Sequence, residues 1–157
     1  MSRQRGVVLL LALVLSLMLG LLAASALREA LVQTRVTGLM RDSLQAFEQA
    51  EATLSAGLNE LQRTPPVVCH GCLPPSRPHD LQGHWQSSEN GYFHLQNLGE
   101  TSRAAHMPED QEVTLYRVTA VSRQQVARQV LEAVYAIPDA QGQAPQRILW
   151  RQRLRRD

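Results

Sequence analysis

Two cysteines three positions apart are the side chains of this chain best suited to covalent chemistry. Cys69 and Cys72 are the only cysteines, and they lie in a proline-rich segment. In an oxidising compartment such a pair favours a local disulfide, which we expect here. A redox-active pair is one alternative, although it would be typical of a helix N-terminus rather than of a segment flanked by prolines. A metal site is the other.

The metal alternative would combine the cysteines with nearby histidines. Those histidines are His70, His79 and His84. Their spacing is not that of a regular zinc finger. We therefore predict neither a metal nor another cofactor.

The second chemically suited group is a run of arginines near the C-terminal end. Residues 147–156 hold five arginines and no acid, a pattern that binds phosphate, nucleic acid or anionic lipid. The predicted contacts to DNA or another anion are Arg151, Arg153, Arg155 and Arg156. The alternative is a solvated strand face that meets acidic neighbours. The rest of the chain does not add to this charge: apart from Arg3 and Arg5, 14 arginines balance 14 acids, unlike a strongly basic nucleic-acid-binding domain.

Motifs of the common enzyme classes are missing from the sequence. It contains no serine nucleophile elbow, no phosphate-cradling glycine loop and no HExxH sequence. The five histidines are scattered over the regions expected to be loops and edge strands. We therefore predict no catalytic residues and a structural role.

The elements that position these residues begin with an apolar N-terminal segment. Residues 7–27 are a run of 21 without a charge. At 1.5 Å per residue such a helix spans about 31 Å, close to the roughly 30 Å hydrocarbon core of a bilayer. It can be a signal-anchor with Arg3 and Arg5 on the cytoplasmic side. It can also be a secretory signal peptide, although its apolar core would be longer than is usual for one. The third alternative is that a short leader is cut off after Gly6, which would leave the whole apolar helix on the mature protein.

Residues 28–62 predict that the helix continues beyond the apolar run. The segment has no proline, and its apolar residues recur every three or four positions, the period of a helix with one apolar face. This predicted stripe consists of Val36, Met40, Leu44, Phe47, Ala50, Leu54, Leu58 and Leu61. Pro65 and Pro66 should end the helix.

From residue 81 onward the pattern becomes that of β-strands. The predicted strands cover residues 84–87, 92–96, 113–123, 126–137 and 147–154. Asn90-Gly91 predicts a hairpin between the first two strands. In the last strand, Arg147, Arg151 and Arg153 should share one face and Trp150 should lie on the other. The fourth strand is apolar on both faces, as expected under a packed helix.

These elements predict an α+β fold, in which a long N-terminal helix packs on a small antiparallel sheet. We divide the chain into a leader (1–6), a membrane-spanning half of the helix (7–27), an amphipathic half (28–62), a proline-rich connector with both cysteines (63–80) and a sheet region (81–157).

Two motifs in the helix resemble a known family. Arg5-Gly6-Val7-Val8-Leu9-Leu10, ahead of the long apolar helix, resembles the N-terminus of a type IV prepilin. The stretch from Gly38 to Leu54 is similar to the signature of PilX-type minor pilins, in which Leu-Arg-Asp leads into Ala-Phe-x-Ala-Ala-Glu-x-Ala-Leu. The matching residues are Arg41, Asp42, Ala46, Phe47, Ala50 and Glu51, with Gln49 in place of an alanine and Met40 inserted. The resemblance covers roughly residues 3–60, and the later strands only loosely.

The resemblance implies a pilin-like fold and cleavage by a prepilin peptidase. That enzyme would cut between Gly6 and Val7 and would methylate the new amine of Val7. Most pilins carry glutamate as the fifth mature residue, where this chain has Leu11. A carboxylate in an apolar helix is costly unless it is paired, so that glutamate implies a partner charge. This chain has no glutamate at that position and cannot make the pairing through its own helix. PilX-type minor pilins and the tip subunit of type II secretion pseudopili are similar in lacking it, which implies a place near a filament tip.

We therefore predict a minor pilin that takes part in type IV pilus assembly, in the tip or priming complex, and supports twitching motility and adhesion. Its expected partners are other minor pilins and the major pilin through the N-terminal helix, the prepilin peptidase and the inner membrane, with DNA less favoured. The expected location is the inner membrane, with a cytoplasmic N-terminus and a periplasmic C-terminal domain, and then the pilus. The alternatives are a tip-type minor pseudopilin of type II secretion and a single-pass anchored periplasmic binding module.

Overall fold

The computed structural model of the chain describes residues 3–138 and 143–155. One long helix, α1 (Arg3–Arg63), precedes a short 3-10 turn (Pro78–Asp80) and five strands. The strands are β1 (Gln86–Ser87), β2 (Gly91–Thr101), β3 (Val113–Ser122), β4 (Val130–Pro138) and β5 (Gln146–Gln152). The chain divides into two units, residues 1–41 and 42–157. A long helix packed on an antiparallel sheet confirms the predicted α+β fold.

The first unit is helical because its sequence offers no competing structure. Leucine and alanine, which are good helix formers, dominate residues 7–27, and proline is absent. The hydroxyl groups of Ser16 and Ser25 donate to the carbonyl oxygens of Ala12 and Leu22 in the same helix, both at 2.8 Å. Hydroxyl groups are thereby satisfied inside the helix, as an apolar environment requires.

The C-terminal end of α1 lies where the prolines predict it, at Arg63 instead of Gln62. The amide of Thr64 still donates to the carbonyl oxygen of Glu60 at 2.8 Å. Pro65 then stops the pattern, because proline has no N–H to donate and disfavours the helical conformation in the residue before it.

Within the second unit, α1 packs on the sheet through a stripe of small and apolar residues. The buried positions are Ala46, Ala50, Thr53, Leu54, Gly57 and Leu61. The predicted stripe is wrong at its beginning, since Val36, Met40 and Leu44 each expose more than half of their surface. Helix geometry explains Leu44, which is two positions, or about 200° around the helix, from the buried Ala46 and therefore lies on a different face.

The helix and the sheet meet in one apolar cluster. Leu54 and Leu61 of α1 pack with Val118 and Ala120 of β3 and with Ala133 of β4. The close approach depends on Gly57, since a Cβ at that position would lie 2.7 Å from Cγ1 of Val118. The prediction that alternate residues of β3 face the helix is confirmed.

The five strands pair in chain order as one antiparallel sheet. One face lies under α1, and alternate side chains project from the opposite face. On that opposite face a polar row crosses four strands, from His94 through Thr119 and Glu132 to Arg151. This row is central to the site described below.

The first hairpin forms at Asn90-Gly91 as predicted, but with different geometry. β1 is only two residues long, and Gly91 is the first residue of β2. The amide of Ser88 donates to the carbonyl oxygen of Gly91 at 2.8 Å, so Glu89 and Asn90 occupy the centre of the turn. None of these turn residues has a positive φ. The glycine is therefore required for another reason: a Cβ at this position would overlap the carbonyl oxygen of Val121 in β3 and would lie 2.7 Å from Oγ1 of Thr53 in α1.

Two later strand predictions need correction. β4 begins at Val130 rather than at Val126, which is 83 % exposed. Ser122 and Gln129 close the β3–β4 loop through a backbone bond of 3.0 Å, so the intervening residues form a wider loop than expected. In β5 a bulge pairs Arg147 with Tyr135, a core residue on the helix side of the sheet. Arg147 therefore does not share the face of Arg151.

Candidate functional site

A long exposed apolar surface lies on the first unit. Within the helix, a window of 18 residues has a mean hydropathy of 2.9, long and apolar enough to cross a membrane, and none of it is buried. The large apolar side chains from Val7 to Leu27 expose 42–73 % of their surface. Such a continuous surface is unfavourable in water, and a helix of this length and composition is able to cross a membrane.

The apolar surface continues beyond the membrane-length segment. Six further side chains are more than half exposed: Leu31, Val32, Val36, Leu39, Met40 and Leu44. We call these six residues the helix patch. Charged residues, namely Arg35, Arg41 and Asp42, are interspersed with them. A mixed surface of this kind suits contact with protein better than burial in hydrocarbon, where charges are costly.

The predicted cleavage site lies near the beginning of α1. Gly6 and Val7 are both helical and exposed. A Cβ at Gly6 would meet nothing within 4 Å, and the same holds at Gly20. Packing therefore sets no requirement for glycine at either position. Cleavage after Gly6 and methylation of Val7 stay predictions.

The family motif joins α1 to the last strand of the sheet. Ala46 and Ala50 are fully buried, which brings the helix close to its neighbours. Phe47 meets Trp150 of β5 edge to face, with ring centroids 6.3 Å apart. The indole Nε1–H of Trp150 donates to Oε1 of Glu51 at 2.9 Å. The remaining motif residues, Arg41 and Asp42, lie one turn earlier, and Arg41 is exposed.

We predict that the Trp150–Glu51 hydrogen bond contributes about 1 kcal/mol to stability. Trp150→Phe keeps an aromatic ring against Phe47 and removes the N–H donor together with part of the ring surface, a loss of surface that the cycle below cancels. The double variant with Glu51→Ala, which removes the acceptor oxygen, measures the coupling by a double-mutant cycle in urea unfolding. A coupling energy near zero would show that the bond adds nothing.

The two cysteines are joined in a disulfide in the structure. Cys69 and Cys72 are bonded with their Cα atoms 5.7 Å apart. The bridge leaves neither thiol free to hold a metal. Among the described residues, no group of three or more His, Cys, Asp or Glu side chains is placed to hold one. In the structure the two cysteines are therefore bonded to each other, as the leading prediction has it.

The segment that carries the disulfide is attached to the sheet through its own backbone carbonyl groups. Side chains of β2 donate to two of them: Asn97 Nδ2 to Pro66 at 3.0 Å, and Gln96 Nε2 to Leu73 at 3.0 Å. Arginines donate to two more, the carbonyl oxygens of Cys72 and Pro75. The connector is thus a fixed layer on the sheet face opposite α1.

The arginine donors converge on one buried carboxylate. Glu132 is 1 % exposed and lies in the middle of β4. Its Oε1 lies 2.6 Å from Nη2 of Arg151 and 3.8 Å from Nε of Arg117, and its Oε2 lies 3.5 Å from Nη1 of Arg153. We call these four residues the Glu132 cluster. Burial lowers the pKa of the Arg117 guanidinium, and the nearby Glu132 carboxylate opposes that shift.

A second ion pair links the chain beyond β5 to the 3-10 turn. Arg155 Nη2 lies 3.2 Å from Oδ1 of Asp80, and both side chains are largely exposed. Beside them, burial and then the charges of Arg155 and Arg153 lower the pKa of His79. The surroundings of this histidine therefore carry excess positive charge.

The structure gives the predicted anion contacts internal partners. Arg151 and Arg153 bond to Glu132, and Arg155 bonds to Asp80. Arg156 lies outside the described residues. The three described arginines are thus brought together, but each already faces an acid. Binding of DNA or another anion by this group stays a prediction.

Glu132 is the important residue that the strand pattern did not single out. It is the one charged residue in an otherwise apolar strand, Val130–Pro138. A charge in a buried strand needs a partner, because an unpaired buried carboxylate is strongly unfavourable. That rule would have identified Glu132 from the sequence. It would not have identified which arginines surround it.

Comparisons with the models of known protein families, with curated proteins and with solved structures gave no significant match.

Proposed function

We propose that this chain is a minor pilin that takes part in type IV pilus assembly, in the tip or priming complex, and so supports twitching motility and adhesion. The observation that supports this most is that two segments of α1 have different surroundings. Residues 7–27 present an exposed apolar surface, and the part of the helix from Ala46 to Leu61 packs on a five-stranded sheet. The motif that resembles a type IV prepilin N-terminus lies at the beginning of the first segment, and the stretch similar to the PilX-type signature overlaps the second.

In this proposal the apolar part of α1 has two successive roles. It first holds the precursor in the inner membrane, with Arg3 and Arg5 cytoplasmic under the positive-inside rule and the sheet unit periplasmic. After cleavage, the same apolar surface packs against the helices of other minor pilins and the major pilin. The helix patch would then contact protein rather than lipid. Leu11 gives the helix no internal carboxylate, which suits a subunit at the tip.

The proposal is tested first by the N-terminal mass of the protein recovered from membranes of a host with an active prepilin peptidase. We expect an N-methylated Val7 terminus. Gly6→Val should leave the precursor uncut, whereas Gly20→Val, at a position equally free of neighbours, should be processed normally. An intact terminus, or a start near Leu27, would contradict the proposal.

A second candidate is a tip-type minor pseudopilin of type II secretion, which would share the helix and the absence of the carboxylate. Loss of the chain should then abolish secretion and leave surface pili in place. Loss of pili and of twitching is the result expected for the minor pilin. An uncut precursor that affects neither machinery would instead indicate an anchored periplasmic binding module.

A further inference from the structure

The two edges of the sheet differ in strand length and in how much of the edge is covered. At one edge, β1 has only two residues, and the connector closes part of the remaining edge of β2: Val68 bridges Asn97, whose carbonyl oxygen accepts from the amide of Cys69 at 3.0 Å. At the other edge, β5 has seven residues, six of them exposed. In residues 3–138 and 143–155, no strand pairs with the outer side of β5. An open edge of this length is a template for another strand.

The open edge is also rigidly held. β5 forms six register pairs with β4. Its side chains are tied to three other parts of the second unit, through Trp150 to Glu51, Gln152 to Gln129 and Arg151 to Glu132. A partner strand would therefore add to an edge that is already ordered, and binding would lose little conformational freedom on this side.

The direction of the backbone groups follows from one hydrogen bond. The amide of Arg153 donates to the carbonyl oxygen of Val130 in β4 at 2.9 Å, so it points into the sheet. Amides alternate in direction along an antiparallel strand. The amides of Gln152 and Trp150 therefore point outward, toward the position of an added strand.

The charge of the edge selects the partner. Arg151 of β5 and Arg153 just beyond it share the one carboxylate of Glu132, so positive charge is in excess on that side of the strand. Arg147 adds another positive charge on the helix side of the same strand. Two copies of β5 paired antiparallel would bring like charges together, and such pairs are destabilising. The edge is suited to a strand of opposite charge.

We propose that the outer edge of β5 binds an extended acidic segment of a different protein by strand addition. The segment would continue the sheet by one strand and would carry carboxylates on both of its faces, opposite Arg147 and Arg151. This inference is independent of the filament proposal, because any partner that supplies such a segment would fit.

The probe is a fluorescent peptide of the same length as β5, built from valine, threonine and glutamate with carboxylates on both faces. Its binding to the full chain in detergent micelles is measured by anisotropy. We expect saturable binding that weakens with salt, and binding at least about tenfold weaker when lysine replaces glutamate. A glutamate peptide N-methylated on alternate residues, which blocks one backbone edge, should also lose binding. Equal binding of all three peptides would overturn the proposal.

A matched pair of variants locates the site. Gln152→Pro removes an outward amide, and Gln152→Ala keeps that amide while losing the same side-chain bond to Gln129. Only Gln152→Pro should lose peptide affinity, and both should keep the unfolding transition of the parent. Hydrogen exchange of the parent gives a check that needs no variant: the amides of Trp150 and Gln152 should slow when the glutamate peptide binds. Unchanged exchange, or self-association of the chain through β5, would overturn the assignment.

Discussion

Glu132→Gln is expected to lower the free energy of unfolding of the second unit by about 3–5 kcal/mol, the range found when one partner of a buried ion pair is removed. Glutamine has nearly the same shape, so the loss comes from charge rather than from a cavity. The guanidinium groups of Arg117 and Arg153, both largely buried, would then face each other without a counter-ion. Urea unfolding followed by tryptophan fluorescence measures the change, because Trp85 and Trp150 both lie in this unit.

The exposed pair between Asp80 and Arg155 provides the control. Its side chains are 45 % and 67 % exposed, and pairs of this kind contribute about 0–1 kcal/mol. Asp80→Asn should therefore change stability little. Similar losses for Glu132→Gln and Asp80→Asn would show that the Glu132 cluster is screened like a surface pair.

The parts of the fold that sequence predicts are those set by local pattern. The end of α1 follows from Pro65, and the core face of β3 follows from the alternation at Val118 and Ala120. Both depend on neighbours in the chain. Period and proline chemistry are sufficient for such features.

The parts that were wrong depend on distant contacts. The apolar pattern at Val126 resembles a continuation of β4, yet the bond between Ser122 and Gln129 closes the loop before that residue can pair. Likewise, a bulge in β5 moves Arg147 to the helix side. Neither effect leaves a signal within a few residues of the chain.

The features of the candidate site also fall into those that the sequence predicts and those that it does not. The apolar surface and the arginine-rich end are visible in composition alone. The partners of those arginines are not, since Glu132, Asp80 and the carbonyl oxygen of Pro75 come from three separate segments. Composition indicates free positive charge there, whereas the fold pairs Arg151 and Arg153 with Glu132 and Arg155 with Asp80.

Gly91→Ala is expected to destabilise the second unit by about 3 kcal/mol, at the upper end of the range for overpacking. A Cβ at this position would lie 2.0 Å from the carbonyl oxygen of Val121 and 2.7 Å from Oγ1 of Thr53. The backbone of β3 and a turn of α1 cannot both move away without breaking the β2–β3 register, in which Gly91 pairs with Ser122. Urea unfolding of the full chain in micelles measures the change.

Two further variants distinguish the steric overlap caused by a Cβ at Gly91 from the cost of an unfavourable backbone conformation. Gly71→Ala places a side chain at a φ of +70° with nothing within 4 Å, and it should lose only the roughly 1–2 kcal/mol of the left-handed conformation. Thr53→Ala removes the more distant of the two contacts at Gly91 and leaves the carbonyl oxygen of Val121 in place. Gly91→Ala should therefore remain strongly destabilising in the Thr53→Ala background. Full recovery there would mean that the helix side chain, and not the strand backbone, is what requires glycine at this position.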